Sequence, residues 1–261
     1  TSVPRAAFSW ITKKLMGQVN IPIITSNRIN TPQVGEEVLA TGCADMVSMA
    51  RPMLADAHFV SKAMNGKADQ IAPCIACNQA CLDHTFGGKI SSCLVNPRAC
   101  YETELTLPDA ATKKTIAIVG AGPAGLSTAI AATERGHTVT IFDKSDEIGG
   151  QLNMAKQVPG KEEFWGLVDW YRTMIAELKI ETKLGKTILA KDLDGFDEVI
   201  IATGVLPRDT DIPGQDGNNV VNYIDVLRHK VAVGKRVAVI GAGGIGFDIC
   251  EFLAHEGDSP T

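Results

Sequence analysis

The feature that most constrains this chain is Gly120-Ala121-Gly122-Pro123-Ala124-Gly125, a G-x-G-x-x-G pattern between an apolar run, Ile116 to Val119, and a small-residue helical stretch, Ala124 to Glu134. In that setting each glycine has a physical role. The first permits a tight turn, the second lets a pyrophosphate approach the backbone, and the third lets helix and strand pack closely. The helix N-terminus adds unpaired N–H groups and a positive dipole end. A second strand, Thr138 to Phe142, ends in Asp143, where a carboxylate can accept hydrogen bonds from a ribose. A plain glycine turn in an α/β sheet is the competing reading.

The pattern returns at Gly241-Ala242-Gly243-Gly244-Ile245-Gly246, after Arg236 to Ile240, which reads as a strong strand, and before Ile245 to Leu253, which reads as a helix. Gly241, Gly243, Gly244 and Gly246 suit NADH or NADPH. The residue separating the two, an acid for a ribose hydroxyl or an arginine for a 2′-phosphate, is expected beyond Thr261. A second FAD-type site is the alternative. Between the turns lie Glu147-Ile148-Gly149-Gly150-Gln151, a helix from Phe164 to Leu178 with Trp165, Trp170 and Tyr171 on a packed face, and a buried strand from Glu198 to Ala202. With the first turn and Ala202-Thr203-Gly204, these segments resemble the FAD-binding half of the two-dinucleotide-domain flavoproteins. That resemblance gives FAD the candidate ligands Gly120, Gly122, Ala124, Gly125, Asp143, Gly150, Gln151, Ala202 and Gly204.

Upstream, two strand–loop–helix units stand in succession. Ile21 to Ser26 leads to a helix at Pro32 to Ala40, with Thr31 as N-cap and Pro32 in the first turn. Ala44 to Met49 reads as a buried strand, Ala50-Arg51-Pro52 as a loop and Ala57 to Met64 as a helix closed by Asn65-Gly66. Successive units of this kind imply parallel strands, in a barrel or an open doubly wound sheet. Arg28 and Ala50-Arg51 then lie just past two successive strand ends, where the last two loops of a (β/α)8 barrel often hold a phosphate. Backbone N–H groups at Ala50 and Arg51, with the guanidinium of Arg28 or Arg51, suit an FMN phosphate. Surface arginines in salt bridges are the alternative.

Cys74-x2-Cys77-x3-Cys81-x11-Cys93 lies in a loop-rich stretch. Four thiolates so placed bind either a tetrahedral zinc or an iron–sulfur cluster. Structural zinc usually shows two separated C-x2-C knuckles, whereas here three cysteines bunch and the fourth arrives late, which favours a [4Fe–4S] cluster. Cys43 and Cys250 read as core thiols and Cys100 as a spare. His58, His84, His137 and His229 form no catalytic or metal-binding pattern.

Composition narrows the partners. A net charge of −5 over 261 residues gives nucleic acid or an anionic membrane nothing to bind, and no apolar run reaches the roughly 18–20 residues of a membrane span. Thr1 to Trp10 lacks the layout of a signal peptide, so a cytoplasmic protein is expected, and its seven cysteines read better as ligands or core thiols than as a disulfide framework. The chain opens without an initiator Met and closes at Gly257 to Thr261 shortly after the second turn, so a fragment of a longer polypeptide is expected.

The order of parts is itself specific. The residues Thr25-Ser26-Asn27-Arg28-Ile29-Asn30, Val47 to Pro52, Cys74 to Cys81 with Asn78-Gln79-Ala80 inside, Leu94 to Ala99, Pro159 to Phe164 and Gly243 to Asp248 resemble the iron–sulfur flavoenzymes of the old yellow enzyme superfamily. Within that family the likeness is strongest to the bacterial NADPH-dependent 2,4-dienoyl-CoA reductases. The implied architecture is α/β throughout: the last units of an FMN-binding TIM barrel over 1–70, a cluster module and linker over 71–108, an FAD-binding domain over 109–232 and the start of a nicotinamide domain over 233–261. The implied chemistry runs from NADPH through FAD and the cluster to FMN, which reduces an activated C=C bond of an acyl-CoA from fatty acid β-oxidation. The family's catalytic Tyr and His would lie upstream of Thr1. Amine dehydrogenases, enoate or bile-acid enone reductases, and a non-enzymatic electron-transfer or zinc-stabilised module are the alternatives.

Overall fold

Thr31 and Pro32 start a helix where the sequence places one. In the computed structural model, which describes residues 3–208 and 210–257, Thr31 Oγ1 accepts a hydrogen bond from Val34 N at the head of Pro32–Ala40. The elements run α1 (Ser9–Leu15), β1 (Ile24–Ser26), α2 (Pro32–Ala40), β2 (Met46–Ser48), α3 (Arg51–Ala55), α4 (Phe59–Met64) and α5 (His84–Phe86). Next come β3 (Thr115–Val119), α6 (Pro123–Glu134), β4 (Thr138–Phe142), α7 (Leu152–Ala155), α8 (Glu163–Glu177), β5 (Glu181–Lys183), β6 (Glu198–Ile201), α9 (Tyr223–Leu227) and α10 (Gly244–Ala254). They form two units, one holding the chain up to Leu107 together with Glu163–Met174, the other Pro108–Glu162 and the chain from Ile175 onward.

In the first unit β1 and β2 pair in parallel, Ile24 against Met46 and Ser26 against Ser48. Ile29, Val38 and Cys43 form a small core on which Val34, Val47 and Met49 pack, so Cys43 is the core thiol its surroundings suggest. The expected burial of the second strand is not found: Ile24 and Met46 are half exposed, because a two-stranded ladder carries neighbours on one edge only. The expected loop at Ala50-Arg51-Pro52 instead begins α3, with Pro52 in its first turn, where a missing N–H costs no helix bond. Asp56 then ends that helix and ties it to α4 and to the chain beyond. Its carboxylate accepts from His58 N at 2.9 Å, Lys62 Nζ at 2.6 Å and Ala72 N at 2.9 Å.

The second unit is built on a four-stranded parallel sheet of order β5-β4-β3-β6. Ile118, Leu126 and Ile141 are fully buried between β3, β4 and α6, each worth about 1.5–3 kcal/mol relative to exposure. The strand at Glu198 is present but not buried, with Ile201 67% exposed, because β6 is the sheet's edge. The strand expected at Arg236 to Ile240 does not form among the described residues. These residues have no ladder partner, and Ile240 lies 78% exposed. Helix α10 forms regardless and packs on α9 through Val158, Val226, Leu227 and Ile249. Cys250 faces solvent, contrary to its reading as a core thiol.

The helix placed at Phe164 to Leu178 corresponds to α8, of which residues Glu163–Met174 group with the first unit. Tyr171 is buried there against Trp170, whose indole donates to Gln70 O at 3.1 Å, while Trp165 is 43% exposed. Residues 258–261, the end of the expected nicotinamide domain, lie outside the described residues. Among the described residues no helix is long and apolar enough to cross a membrane.

Candidate functional site

Cys74, Cys77, Cys81 and Cys93 line a single small cavity of about 20 Å3. Local backbone geometry brings them there. Ala76 and Asn78, on either side of Cys77, take left-handed conformations (φ +52° and +61°), and Cys81 lies on a single wide turn closed by Asp83 N to Asn78 O. Left-handed non-glycine residues each cost of order 1–3 kcal/mol and gather at functional loops. Wide π turns do the same.

Burial pushes the Cys74 thiol up, opposed by the Ala76 amide and the Arg51 charge, with Cys93 and Cys77 adding to the rise. Burial likewise raises Cys93, against amides at Val95 and Asn96 that favour its thiolate. Backbone N–H groups at Ala76, Val95 and Asn96 reach the same sulfurs and favour their thiolate forms against that burial. Among the described residues no three His, Cys, Asp or Glu side chains close on a single-ion position. Four thiols around one cavity are a donor set of the kind that holds a zinc ion or an iron–sulfur cluster.

The Arg51 guanidinium lines the same cavity. Its Nη1 donates to Asn78 Oδ1 at 2.5 Å and its Nη2 to Asn27 Oδ1 at 3.4 Å. Asn27 and Arg28, just past β1, are both left-handed (φ +80° and +54°). Arg28 is 6% exposed, donates through Nε to Val3 O at 2.7 Å and through Nη1 to Glu163 Oε1 at 3.1 Å. Its Nη2 is buried with no hydrogen-bond partner among the described residues, so part of the guanidinium stays available to a ligand at that loop.

Glu163 lies in the Pro159 to Phe164 segment that carries the resemblance, but motif reading assigns it no role. Its carboxylate also accepts from Arg5 and from Asn30 Nδ2 at 3.0 Å, and Asn30 reaches Cys74 O at 3.2 Å. Burial raises the Glu163 carboxyl, but Arg5, Arg28 and Asn30 outweigh it and hold it below the usual carboxylate range.

In the second unit the first glycine turn has the geometry its pattern requires. Gly120 sits at φ +119°, and a Cβ there would lie 2.2 Å from Ala202 O. A Cβ on Gly125 would lie 1.9 Å from Gly120 O, whereas a Cβ on Gly122 would meet nothing within 4 Å. The middle glycine thus keeps open the space a pyrophosphate would take, beside the N-terminus of α6. Gly149 N donates to Ala121 O at 2.8 Å, and Asn153 Nδ2 holds the same loop through Ile148 O, bringing Gly150 over Gly122.

Asp143 differs from the expectation in its present partners. Its Oδ2 accepts from Ala121 N at 2.6 Å and its Oδ1 from Ser145 N at 2.7 Å, leaving further lone pairs for a ribose. Gln151 donates to Val205 O at 3.2 Å beside Gly204 (φ +72°), so the candidate FAD residues meet at the carboxyl ends of β3, β4 and β6. The second turn repeats the geometry, with Gly241 at φ +117°, a Gly246 Cβ 2.0 Å from Gly241 O, and open space at Gly243 and Gly244.

Two dinucleotide-type turns and a four-thiol cavity define a redox protein built around flavin and nicotinamide. The chain belongs to the pyridine nucleotide-disulphide oxidoreductase family, whose model matches residues 114–260. Residues 1–70 match the NADH:flavin oxidoreductase / NADH oxidase family, and the two together make this an old-yellow-enzyme-like flavin oxidoreductase sequence.

It is 40% identical over 262 residues to a metal reductase of Desulforamulus reducens, covering 98% of this chain and 39% of that protein. It is 34% identical to a cinnamate reductase of Clostridium sporogenes, covering 97% and 38%. The solved 2-naphthoyl-CoA reductase complexed with 2-naphthoyl-CoA superposes with a TM-score of 0.93 at 34% identity, covering 97% of this chain and 39% of that one. The chain spans about two-fifths of the length of these relatives.

Proposed function

We propose that the full-length protein is an NAD(P)H-dependent flavin oxidoreductase that reduces a C=C bond conjugated to a carboxyl or thioester group. The observation that carries this reading is the convergence of Cys74, Cys77, Cys81 and Cys93 on one cavity shared with Arg51. The bound groups supply hydride exchange at FAD, one-electron relay at an iron–sulfur cluster and substrate reduction at FMN.

The chain's own residues bind and orient those groups. Gly120, Gly122 and Gly125 shape the FAD pyrophosphate seat, the Asp143 carboxylate is within reach of a ribose, and Gly150, Gln151, Ala202 and Gly204 border the crevice. Gly241 to Gly246 offers the corresponding seat to NADPH or NADH. Arg28, whose buried Nη2 has no partner among the described residues, Ala50 and Arg51 are the candidates for the FMN phosphate.

Cinnamate and 2-naphthoyl-CoA, in the relatives' names, share conjugation of the reducible bond with a carboxyl or thioester group. A 2,4-dienoyl-CoA is a member of that class and is our specific expectation. The test is an anaerobic assay of the full-length protein, following dienoyl-CoA absorbance on addition of NADPH. Loss of absorbance supports the reaction and the substrate class together. Bleached flavins without loss move the substrate to an enone or free enoate, and unbleached flavins overturn the electron route.

A further inference from the structure

Among the described residues that line the thiol cavity, Arg51 is the only charged one; the rest of the wall beyond the cysteines is Leu54, Ile75, Asn78, Ala80 and Leu94. Its guanidinium is fixed at both ends, by Asn78 between Cys77 and Cys81 and by Asn27 in the left-handed loop after β1. The guanidinium is partly exposed, on the Asn27 side, and its Asn78 side faces the cavity, so its charge acts on whatever charge the cavity holds, with solvent screening part of the effect. Four thiolates with a cluster carry net negative charge, and each electron accepted adds one more.

We propose that Arg51 is a positioning residue that sets the reduction potential of the thiolate-held cluster, with Asn78 and Asn27 holding its charge at the cavity wall. The inference rests on the cluster reading of the proposed function. The step is a one-electron reduction of the cluster, with the electron drawn in the experiment from dithionite through redox mediators. Because the reduced form carries the extra negative charge, Arg51 favours reduction and its loss lowers the midpoint. Burial and charge around the sulfurs are among the main levers on such potentials. The Asn27 contact also places the charge beside the loop proposed for the FMN phosphate, so the two roles need separate readouts.

The experiment uses full-length parent, Arg51→Gln, Arg51→Lys and Asn27→Asp. Iron, acid-labile sulfide and FMN are assayed first, and the cluster midpoint is then measured by electron paramagnetic resonance in an anaerobic titration. Arg51→Gln is expected to shift the oxidised-to-reduced ratio at fixed potential about tenfold, which is a midpoint lower by about 59 mV for one electron. Arg51→Lys keeps the charge and should stay near the parent. Asn27→Asp, which tolerates the left-handed backbone, should fall between, and it carries the test should Arg51→Gln not load a cluster. An unchanged midpoint in the loaded variants, with or without loss of FMN, overturns the inference and leaves the cluster reading standing. Parent protein without iron and sulfide overturns both.

Discussion

Glu163→Gln should loosen the packing of α8 and release Arg28 and Asn30, its two buried partners. The Glu163 carboxylate is 6% exposed and accepts four hydrogen bonds: from Arg5 Nε at 3.2 Å and Nη2 at 2.8 Å, from Arg28 Nη1 at 3.1 Å and from Asn30 Nδ2 at 3.0 Å. Arg5 is 44% exposed and can turn into water, whereas Arg28 is 5% exposed and cannot. Glutamine removes the charge and points an N–H group at donors, so the buried Arg28 is left uncompensated.

Losing one member of a buried pair costs about 3–5 kcal/mol, and we take the low end, about 3, because Arg5 escapes and one oxygen remains. At about 1.4 kcal/mol per tenfold, that is roughly 100-fold faster amide exchange in Glu163–Met174, read by hydrogen exchange of the full-length protein. Arg5→Ala should cost under about 1 kcal/mol. The pH dependence has a definite sign. A carboxyl held below its unfolded value stabilises the fold fully above that value, about 4.3, and the contribution disappears as pH falls through the folded value. Corrected for intrinsic rates, parent protection should therefore fall in acid below about pH 4 while Glu163→Gln stays flat. Equal protection in Glu163→Gln and parent would refute the argument, as would additive effects of Arg28→Met and Glu163→Leu in a double-mutant cycle.

Gly122→Ala should keep the fold, with a melting temperature within about 2 °C, yet lower FAD affinity at least about tenfold, since its Cβ enters only the open seat. Gly125→Ala drives a Cβ onto Gly120 O and should destabilise by more than about 3 kcal/mol; FAD titration and thermal melting separate the two. Asp56→Ala strands the amides of His58 and Ala72 and leaves Lys62 Nζ only its bond to Gln70 O, and should cost about 2–4 kcal/mol, visible as faster exchange at Phe59–Ala72. Cys77→Ser should abolish FMN reduction by NADPH while sparing FAD reduction, and equal FMN rates in stopped-flow would sink the relay.

What was legible in the sequence is what is encoded locally. The α2 cap depends on Thr31 and Val34, three residues apart, and the first glycine turn on contacts between Gly120 and Gly125. The second turn makes the point most sharply, because Gly241 and Gly246 adopt the same geometry although Arg236 to Ile240 forms no strand. A turn needs only its own backbone, whereas a ladder needs a partner. The same distinction explains why the strands at Ala44 and Glu198 were placed correctly in the chain but wrongly in depth. Apolar composition marks a strand, while its burial is decided by neighbours elsewhere in sequence.

The candidate sites divide along that line too. The four cysteines and the glycines are spaced closely enough to be read as motifs, but the groups that orient them come from far away. Arg51 meets Asn78 across 27 residues, and Glu163 meets Asn30 across 133 and Arg28 across 135. No periodicity relates such positions. The one available signal was a glutamate opening a helix after Pro159-Gly160-Lys161, and that reads as ordinary first-turn chemistry. Arg28 shows the cost of this blindness. Its position after β1 makes it an attractive phosphate ligand, and only the distant Glu163 shows that part of its guanidinium is already paired, with Nη2 left over. Arg51 stands after the next strand in the same way, but the partners it meets are the neutral amide oxygens of Asn78 and Asn27, at the wall of the thiol cavity.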